Sequence, residues 1–273
     1  MTSFHLMLRE GSLDHFDTIF LCGPNHIDEV RQTEYVYRLP QKTLVKTGFA
    51  LLDELLERVS ALEQKVEQKS EQKEGARKRV LIAPSWQKDN LLDFCLDDLI
   101  KGLSGKDFDI VIRPHPEFVK RFPHKVEKIR EKYAGRLGKD MELETDFSSN
   151  ESVYTSDVIV TDWSSVAQEY SYATKRPSLF VNTPMKVINP NYEKIKAVPL
   201  DIALRDEIGV SVEVDGLSGV GGVCEKLIAE KEKWRGRITK VVEHYIYNIG
   251  NGARNGADYI IGRIDFKRRG RAS

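Results

Sequence analysis

The chain has 273 residues, which is enough for one large domain or two small ones. Its 42 lysines and arginines balance its 42 aspartates and glutamates, so the bulk charge gives no reason to expect nucleic acid binding. The three cysteines are far apart and form no CxxC pair, no apolar run approaches the roughly 20 residues of a membrane span, and the first residues lack the pattern of a signal peptide. These features predict a cytoplasmic protein without a zinc site or a disulfide framework.

The first 60 residues predict two βα units, with strands at 16–23 and 44–48 and helices at 25–39 and 49–59. The second helix carries an apolar stripe that is only about two heptads long, which favours packing on a sheet over a coiled coil. From Glu63 the chain becomes charged and Gln-rich. This change predicts a solvated linker and the main domain boundary at residues 63–78.

Beyond the linker, strands and helices alternate regularly. Strands are predicted at 79–86, 109–116, 141–145, 156–162, 176–183 and 208–214, and helices at 90–103, 124–137, 164–174, 217–234 and 236–249. Alternating elements with continuous apolar strands indicate an α/β fold in which helices cover both faces of a parallel sheet. In such sheets, ligands bind at the carboxyl ends of the strands.

The sequence RPHPE follows one of these strands and places His115 between two prolines. Proline fixes its own φ and pushes the preceding residue toward extended geometry, so His115 is predicted in a rigid stub. A histidine at a strand end is often only a hydrogen-bonded structural residue, but the two prolines favour a functional role. Arg113 is a natural phosphate partner, although it is equally suited to pair with Glu117 or another acid.

The sequence TDWSSVAQE follows a second strand and opens a helix near Ser164 and Ser165. Ser165 and Gln168 match a capping box, and capping alone would explain both serines. A helix N-terminus at this edge of a sheet is also a site for anions, because free N–H groups and the helix dipole favour phosphate. Glu169, one turn into the helix, is placed to reach a ribose hydroxyl.

Both motifs follow strands of one predicted sheet. We therefore expect His115 and the two serines to open onto the same cleft, with their Cα atoms within roughly 15 Å of one another.

Taken together, the two motifs resemble those of the CDP-glycerol glycerophosphotransferase family, the teichoic-acid primases and polymerases. Members have a strand ending in R-P-H-P, here beginning at Arg113, and a later turn of the form [ST]-D-[YW]-S-S, here containing Asp162 and followed by Glu169. Further likeness in GPNHIDEVRQTE and YNIGNGARNGADYI extends the resemblance over most of residues 17–262.

The resemblance implies the donor-binding half of a GT-B fold, with a Rossmann-like parallel sheet. Residues 1–62 would be a remnant of the amino-terminal GT-B domain with its connecting helix, and residues 79–273 the nucleotide-donor-binding domain. His115 and Arg113 would be catalytic and would face the transferred phosphorus, while Ser164, Ser165, Asp162 and Glu169 would bind the diphosphate and ribose of the donor.

The resemblance also implies an activity. The family moves glycerol phosphate, or a related polyol phosphate, from a CDP-activated donor to a hydroxyl of a cell-envelope polymer and releases CMP. We expect a polymer or lipid-linked acceptor, no metal or other cofactor, and a location in the cytoplasm or at the inner face of the cell membrane.

One difference from the family leaves other functions possible for this chain. The family's amino-terminal domain carries a histidine in an HGTP-like motif that is thought to act as the general base, and this motif is absent here. The chain is therefore a fragment, or is completed by a partner chain, or is a catalytically silent nucleotide-binding scaffold. TDWSSVAQE is also similar to the diphosphate-binding turn of UDP-GlcNAc 2-epimerases, so a GT-B glycosyltransferase or epimerase is a further alternative.

Overall fold

The structure is a computed structural model that describes residues 3–70 and 77–269. Its strands are β1 (Thr18–Leu21), β2 (Thr43–Lys46), β3 (Lys78–Ile82), β4 (Phe108–Ile112), β5 (Met141–Leu143), β6 (Val158–Thr161), β7 (Ser178–Asn182) and β8 (Gly209–Glu213). Its helices are α1 (Phe4–Met7), α2 (Asn25–Tyr37), α3 (Ala50–Ser70), α4 (Leu91–Phe94), α5 (Leu96–Leu103), α6 (Pro116–Arg121), α7 (Pro123–Lys132), α8 (Glu151–Thr155), α9 (Val166–Thr174), α10 (Leu200–Ala203), α11 (Arg205–Ile208), α12 (Val220–Ala229), α13 (Lys231–Tyr245) and α14 (Gly252–Arg269).

The chain divides into two compact units. The first contains Met1–Glu57, Val187–Ala203 and Lys240–Ser273, and the second contains Arg58–Lys186 and Leu204–Thr239. This division differs from the predicted single boundary at residues 63–78. Helix α3 continues through residues 63–70, and residues 71–76 of the predicted linker lie outside the described residues.

Hydrogen bonds explain why later parts of the chain belong to the first unit. The Asn189 side chain donates to the carbonyl of His5 over 2.8 Å. The Asp53 carboxylate accepts from the backbone N–H groups of Gly250 and Gly252, both over 2.6 Å. The sequence pattern gave no sign of these long-range contacts, because they join segments about 180 to 200 residues apart.

In the first unit, β1 and β2 form a two-stranded parallel sheet. The side chains of Ile19, Leu21 and Val30 form a small apolar core with Leu13. Helix α3 buries Leu52 and Leu55 of the predicted stripe, as expected for a helix that packs within a globular unit.

The second unit holds a six-stranded parallel sheet in the order β5-β4-β3-β6-β7-β8. Its central strands are continuous apolar runs, and every residue of β6 is buried, as expected for a sheet covered on both faces. Helix α5 buries its apolar side through Leu96, Leu99, Ile100 and Leu103. The predicted α/β class with a parallel sheet is therefore confirmed.

Several predicted elements end or break differently. The strand predicted at 79–86 stops at Ile82, and residues 83–86 form a loop. The helix predicted at 90–103 is split into α4 and α5 at Cys95. No described helix is long and apolar enough to cross a bilayer.

Candidate functional site

The strand order brings the two sequence motifs to one edge of the sheet. The chain runs from β3 outward through β4 to β5, and then returns to the other side of β3 at β6. Such a reversal leaves a crevice at the carboxyl ends of the strands, where ligands bind in open α/β sheets. Ile82 of β3 lies level with Ile112 of β4 and with Val160 of β6. Both motifs therefore begin at the same level along the strand direction, and their strands lie about 10 Å apart.

The loop after β3 contacts both motifs. Ser85 donates to the carboxylate of Asp162 from its backbone N–H over 2.7 Å and from its hydroxyl over 3.1 Å. The next residue, Trp86, lies beside His115, with the ring centroids 6.1 Å apart. The sequence pattern predicts these residues as the end of a strand, whereas they form a loop. Its only sequence signal is Pro84, which removes a backbone donor near the strand end.

Asp162 is a buried structural residue at this edge. Besides the two bonds from Ser85, its carboxylate accepts from the backbone N–H of Leu91 over 2.9 Å and of Trp163 over 2.7 Å. The side chain is 1% exposed. Its oxygens already accept four protein hydrogen bonds, and a buried carboxylate repels phosphate, so the geometry gives Asp162 a structural role, while its contact with the donor remains a prediction.

Arg113 is also buried, and its guanidinium is bonded to other groups of the protein. Its guanidinium pairs with the carboxylate of Glu144. It also donates to the backbone carbonyl of Ser149 over 3.0 Å and to the side chain of Asn150 over 2.6 Å. The residue is 8% exposed. These contacts turn the guanidinium toward the protein, and the expectation that Arg113 faces the transferred phosphorus remains a prediction. The alternative that it pairs with an acid is right, and the acid is Glu144.

His115 begins helix α6 as its N-cap. Its Nδ1 accepts a hydrogen bond from the backbone N–H of Glu117 over 3.1 Å. An acceptor nitrogen carries no proton, so the neutral ring holds its proton on Nε2. Burial, and secondly the Lys186 ammonium, lower the pKa of His115, while Glu117 opposes the shift. The ring is therefore neutral near pH 7 and offers an Nε2–H donor.

Lys186 lies close enough to His115 to lower the pKa of its ring. Two hydrogen bonds hold the segment before Lys186 at the edge of the sheet. The Trp163 indole N–H donates to the carbonyl of Thr183 over 2.8 Å. The Gln87 amide donates to the carbonyl of Pro184 over 3.1 Å. No local sequence signal identifies Lys186, because only the fold brings it near His115, about 70 residues earlier.

The two serines lie where helix α9 begins. Ser165 is its N-cap residue and is exposed, but its side chain makes no capping bond, so the predicted capping box is wrong. The N–H of Val166 lies 3.4 Å from the Ser164 hydroxyl, and the N–H of Ala167 lies 3.4 Å from the Ser164 carbonyl. Both distances are long for hydrogen bonds, so the N–H groups of Val166 and Ala167 are held only weakly.

Glu169 lies in the first turn of the same helix and is half-buried. Burial raises its pKa, and a hydrogen bond with Ser165 opposes that shift. A partly desolvated carboxylate is an effective acceptor for a hydroxyl group, which is the property that the predicted role of Glu169 requires.

A buried arginine contacts the residues that precede the two serines. The Arg205 guanidinium stacks between the rings of Trp163, at 4.1 Å, and Phe180, at 4.4 Å. It donates to the carbonyl of Asp162 over 3.2 Å and to the side chain of Asn182 over 2.9 Å. Burial lowers the pKa of Arg205 to about 10, so the group stays charged at neutral pH. Arg205 thus places a positive charge next to the turn that carries the two serines.

The fold is that of a doubly wound α/β protein, and the N-terminus of α9 and the neutral His115 both lie at the carboxyl edge of its sheet. The family model for CDP-glycerol:poly(glycerophosphate) glycerophosphotransferase matches residues 8–189. Because that match covers more than half of the chain, the chain belongs to this family, as its sequence motifs predicted. Comparison with curated proteins found no matching sequence.

Solved structures with the same fold include the wall teichoic acid polymerase TagF, at a TM-score of 0.58 and 17% identity. A variant of TagF soaked with CDPG gives a TM-score of 0.57 and 17% identity. A glycosyltransferase from Rickettsia africae ESF-5 gives 0.52 and 12%, and the match covers 94% of this chain and 66% of that one. These likenesses confirm the predicted GT-B-type α/β fold. The TagF matches cover 94% of this chain, which spans about 60% of the TagF chain.

Proposed function

We propose that this chain is the donor-binding part of a transferase that moves glycerol phosphate, or a related polyol phosphate, from a CDP-activated donor to a hydroxyl of a cell-envelope polymer. The observation that carries the proposal is the loop after β3, which binds Asp162 of one motif through Ser85 and contacts His115 of the other through Trp86. This loop supports the proposal that the two motifs form one site. The family membership selects the CDP-polyol donor.

In this proposal the donor diphosphate rests on the start of α9. Its oxygens accept hydrogen bonds from the Ser164 and Ser165 hydroxyls and from the weakly held N–H groups of the first turn, where the helix dipole adds to the attraction. The buried Arg205 charge adds to this attraction. Its effect is stronger than in bulk water, because the protein interior screens charge less. Glu169 accepts hydrogen bonds from the ribose hydroxyls.

The reaction transfers a phosphoryl group between two oxygens. The acceptor hydroxyl oxygen forms a bond to the phosphorus that carries the polyol, and the bond from that phosphorus to the bridging oxygen breaks. CMP leaves with the electron pair, and the acceptor proton passes to a general base. His115 Nε2–H donates to a phosphoryl oxygen on which charge grows, and Lys186 adds positive charge beside it. Because Nε2 carries the proton, His115 acts here as a donor and is not the base.

The acceptor and the location are part of the proposal. A polymer or lipid-linked acceptor lies at the inner face of the membrane, and helix α14 exposes Ile260, Ile261 and Ile264. The sequence continues with Lys267, Arg268 and Arg269, whose charges attract anionic lipid. This combination supports peripheral attachment. The general base would come from the part of a TagF-like enzyme that this chain does not span, in the same or a partner chain.

A calorimetric titration with CDP-glycerol, UDP-GlcNAc and CMP tests the donor class. The proposal predicts binding of CDP-glycerol and CMP, with UDP-GlcNAc much weaker. Preferential binding of UDP-GlcNAc would instead support a sugar-nucleotide glycosyltransferase or epimerase. Absence of binding by all three nucleotides would support a scaffold without a donor site.

A further inference from the structure

Trp86 presents an aromatic surface at the candidate site. The residue is 37% exposed, so part of its ring system is accessible to a ligand. The Arg121 guanidinium lies 5.3 Å from its ring centroid, and the His115 ring lies 6.1 Å away. The indole is therefore held in place by two neighbours while part of its surface stays open to solvent beside the histidine.

The loop that carries Trp86 is fixed on both sides. Ser85 makes two hydrogen bonds to Asp162, and the Gln87 side chain donates to the carbonyl of Pro184. Asn90 caps helix α4 by accepting from the N–H of Leu92 over 2.9 Å. An exposed tryptophan on an anchored loop loses little conformational entropy when a ligand covers it, so it is well suited to binding.

The strand order gives the site a direction. Ser164, Ser165 and Glu169 follow β6, whereas His115 follows β4, and Trp86 follows β3 between them. A donor whose ribose lies at Glu169 and whose diphosphate lies at the serines extends its transferred end toward β4. Because Trp86 lies beside His115, the indole lies at that transferred end.

From this placement we infer that Trp86 is a specificity-determining residue that packs against the carbon face of the polyol carried by the donor. The inference rests on the proposed function and adds the group that recognises the transferred polyol. An aromatic ring removes the C–H face of a polyol from water while the hydroxyls remain hydrated or hydrogen-bonded. The nucleotide half of the donor does not reach Trp86.

The test compares the affinities of CDP-glycerol and CDP, which lacks the polyol, for the full chain by calorimetry. Trp86→Ala should weaken CDP-glycerol binding by about tenfold and change CDP binding by less than about twofold. Trp86→Phe keeps an aromatic face and should give an intermediate loss. Phe94→Ala removes another exposed aromatic residue of the same unit and should change neither affinity.

Three results would overturn the inference. Equal losses of CDP and CDP-glycerol affinity would place Trp86 against the nucleotide. Unchanged affinity for both ligands, with the fold intact by circular dichroism, would mean that Trp86 does not contact the donor. Failure of the unsubstituted chain to bind CDP would overturn the proposed function as well, and this outcome is distinguishable because it requires no variant.

Discussion

Ser85 and Asp162 are 77 residues apart in the sequence, yet the hydroxyl and backbone N–H of Ser85 both donate to the Asp162 carboxylate. This pair joins the loop after β3 to the turn after β6 at the point where the strand order reverses. Two neighbouring loops at a crevice are thereby held in one arrangement. The pair explains why a buried aspartate precedes two serines that are proposed to bind an anion.

Replacing Asp162 should destabilise the fold as well as the site. In Asp162→Asn, the amide nitrogen cannot accept, so some of the four donors lose their partner. We expect a loss of about 3 kcal/mol in the free energy of unfolding, the scale for buried hydrogen bonds to a charged group. Urea unfolding measures it. The exposed Asp98→Asn is the matched control and should stay within about 0.5 kcal/mol of the unsubstituted chain.

A loss of donor affinity in Asp162→Asn without any loss of stability would contradict the structural role. That result would support direct contact between Asp162 and the donor.

Arg113 provides a second test, which separates a structural role in a buried ion pair from a catalytic role. Arg113→Met leaves the Glu144 carboxylate largely buried without its partner, and breaking such a pair should cost about 3 kcal/mol in unfolding free energy. The double variant Arg113→Met, Glu144→Leu should regain most of that stability, because a matched apolar pair replaces the ion pair. Arg130→Met, which breaks an exposed pair, should change stability by about 0.5 kcal/mol or less. If Arg113→Met abolished turnover at unchanged stability, a catalytic role would be restored.

The two roles of His115 can be separated by two substitutions. His115→Ala removes both the cap of α6 and the imidazole, whereas His115→Asn keeps a good N-cap and removes only the imidazole. Both should lower turnover of CDP-glycerol by on the order of 10²-fold, with CDP affinity changed by only a few-fold. The assay supplies the remaining part of a TagF-like enzyme in trans.

Only His115→Ala should also lose stability, by about 1 kcal/mol. Full turnover in His115→Asn would show that the residue serves the helix alone. A large loss of CDP affinity in both variants would show that it binds the nucleotide.

The lowered pKa of His115 makes stability depend on pH. Because the folded state holds the ring neutral, the unfolded chain binds the proton at higher pH than the folded chain does. The stabilising contribution is complete above about pH 6.5, the unfolded-state value, and is lost as pH falls through the folded-state pKa. Urea unfolding at about pH 7.5 and about pH 5 should show a larger loss for the unsubstituted chain than for His115→Asn. Equal losses would contradict the lowered pKa.

Most elements of the second unit could be predicted from the sequence, because the patterns that define them lie within short segments of the chain. The strands around Ile82, Ile112 and Val160 are continuous apolar runs, and the helices between them have one apolar side, so period and alternation identify both. The strand-end position of both motifs follows from the same alternation.

What could not be predicted depends on contacts between distant residues. Arg113 is equally suited to phosphate or to an acid, and only the fold brings Glu144 beside it. The role of Asp162 depends on Ser85, and the support of Trp163 depends on Arg205, about 40 residues later. His115 as a helix cap could have been anticipated, because Pro116 is favoured at the first position of a helix. The distance between His115 and the serines remains a prediction.

The central claim is that the donor diphosphate rests on Ser164 and Ser165, and calorimetry of CDP-glycerol binding tests it most directly. The double variant Ser164→Val, Ser165→Val removes two hydroxyl donors from a turn in which Ser165 makes no capping bond, so the fold should persist. The exposed Ser60→Val is the control. We predict that the double variant binds CDP-glycerol at least about tenfold more weakly than the control, which corresponds to about 1.4 kcal/mol. Equal affinity in the folded double variant and the control would contradict the claim.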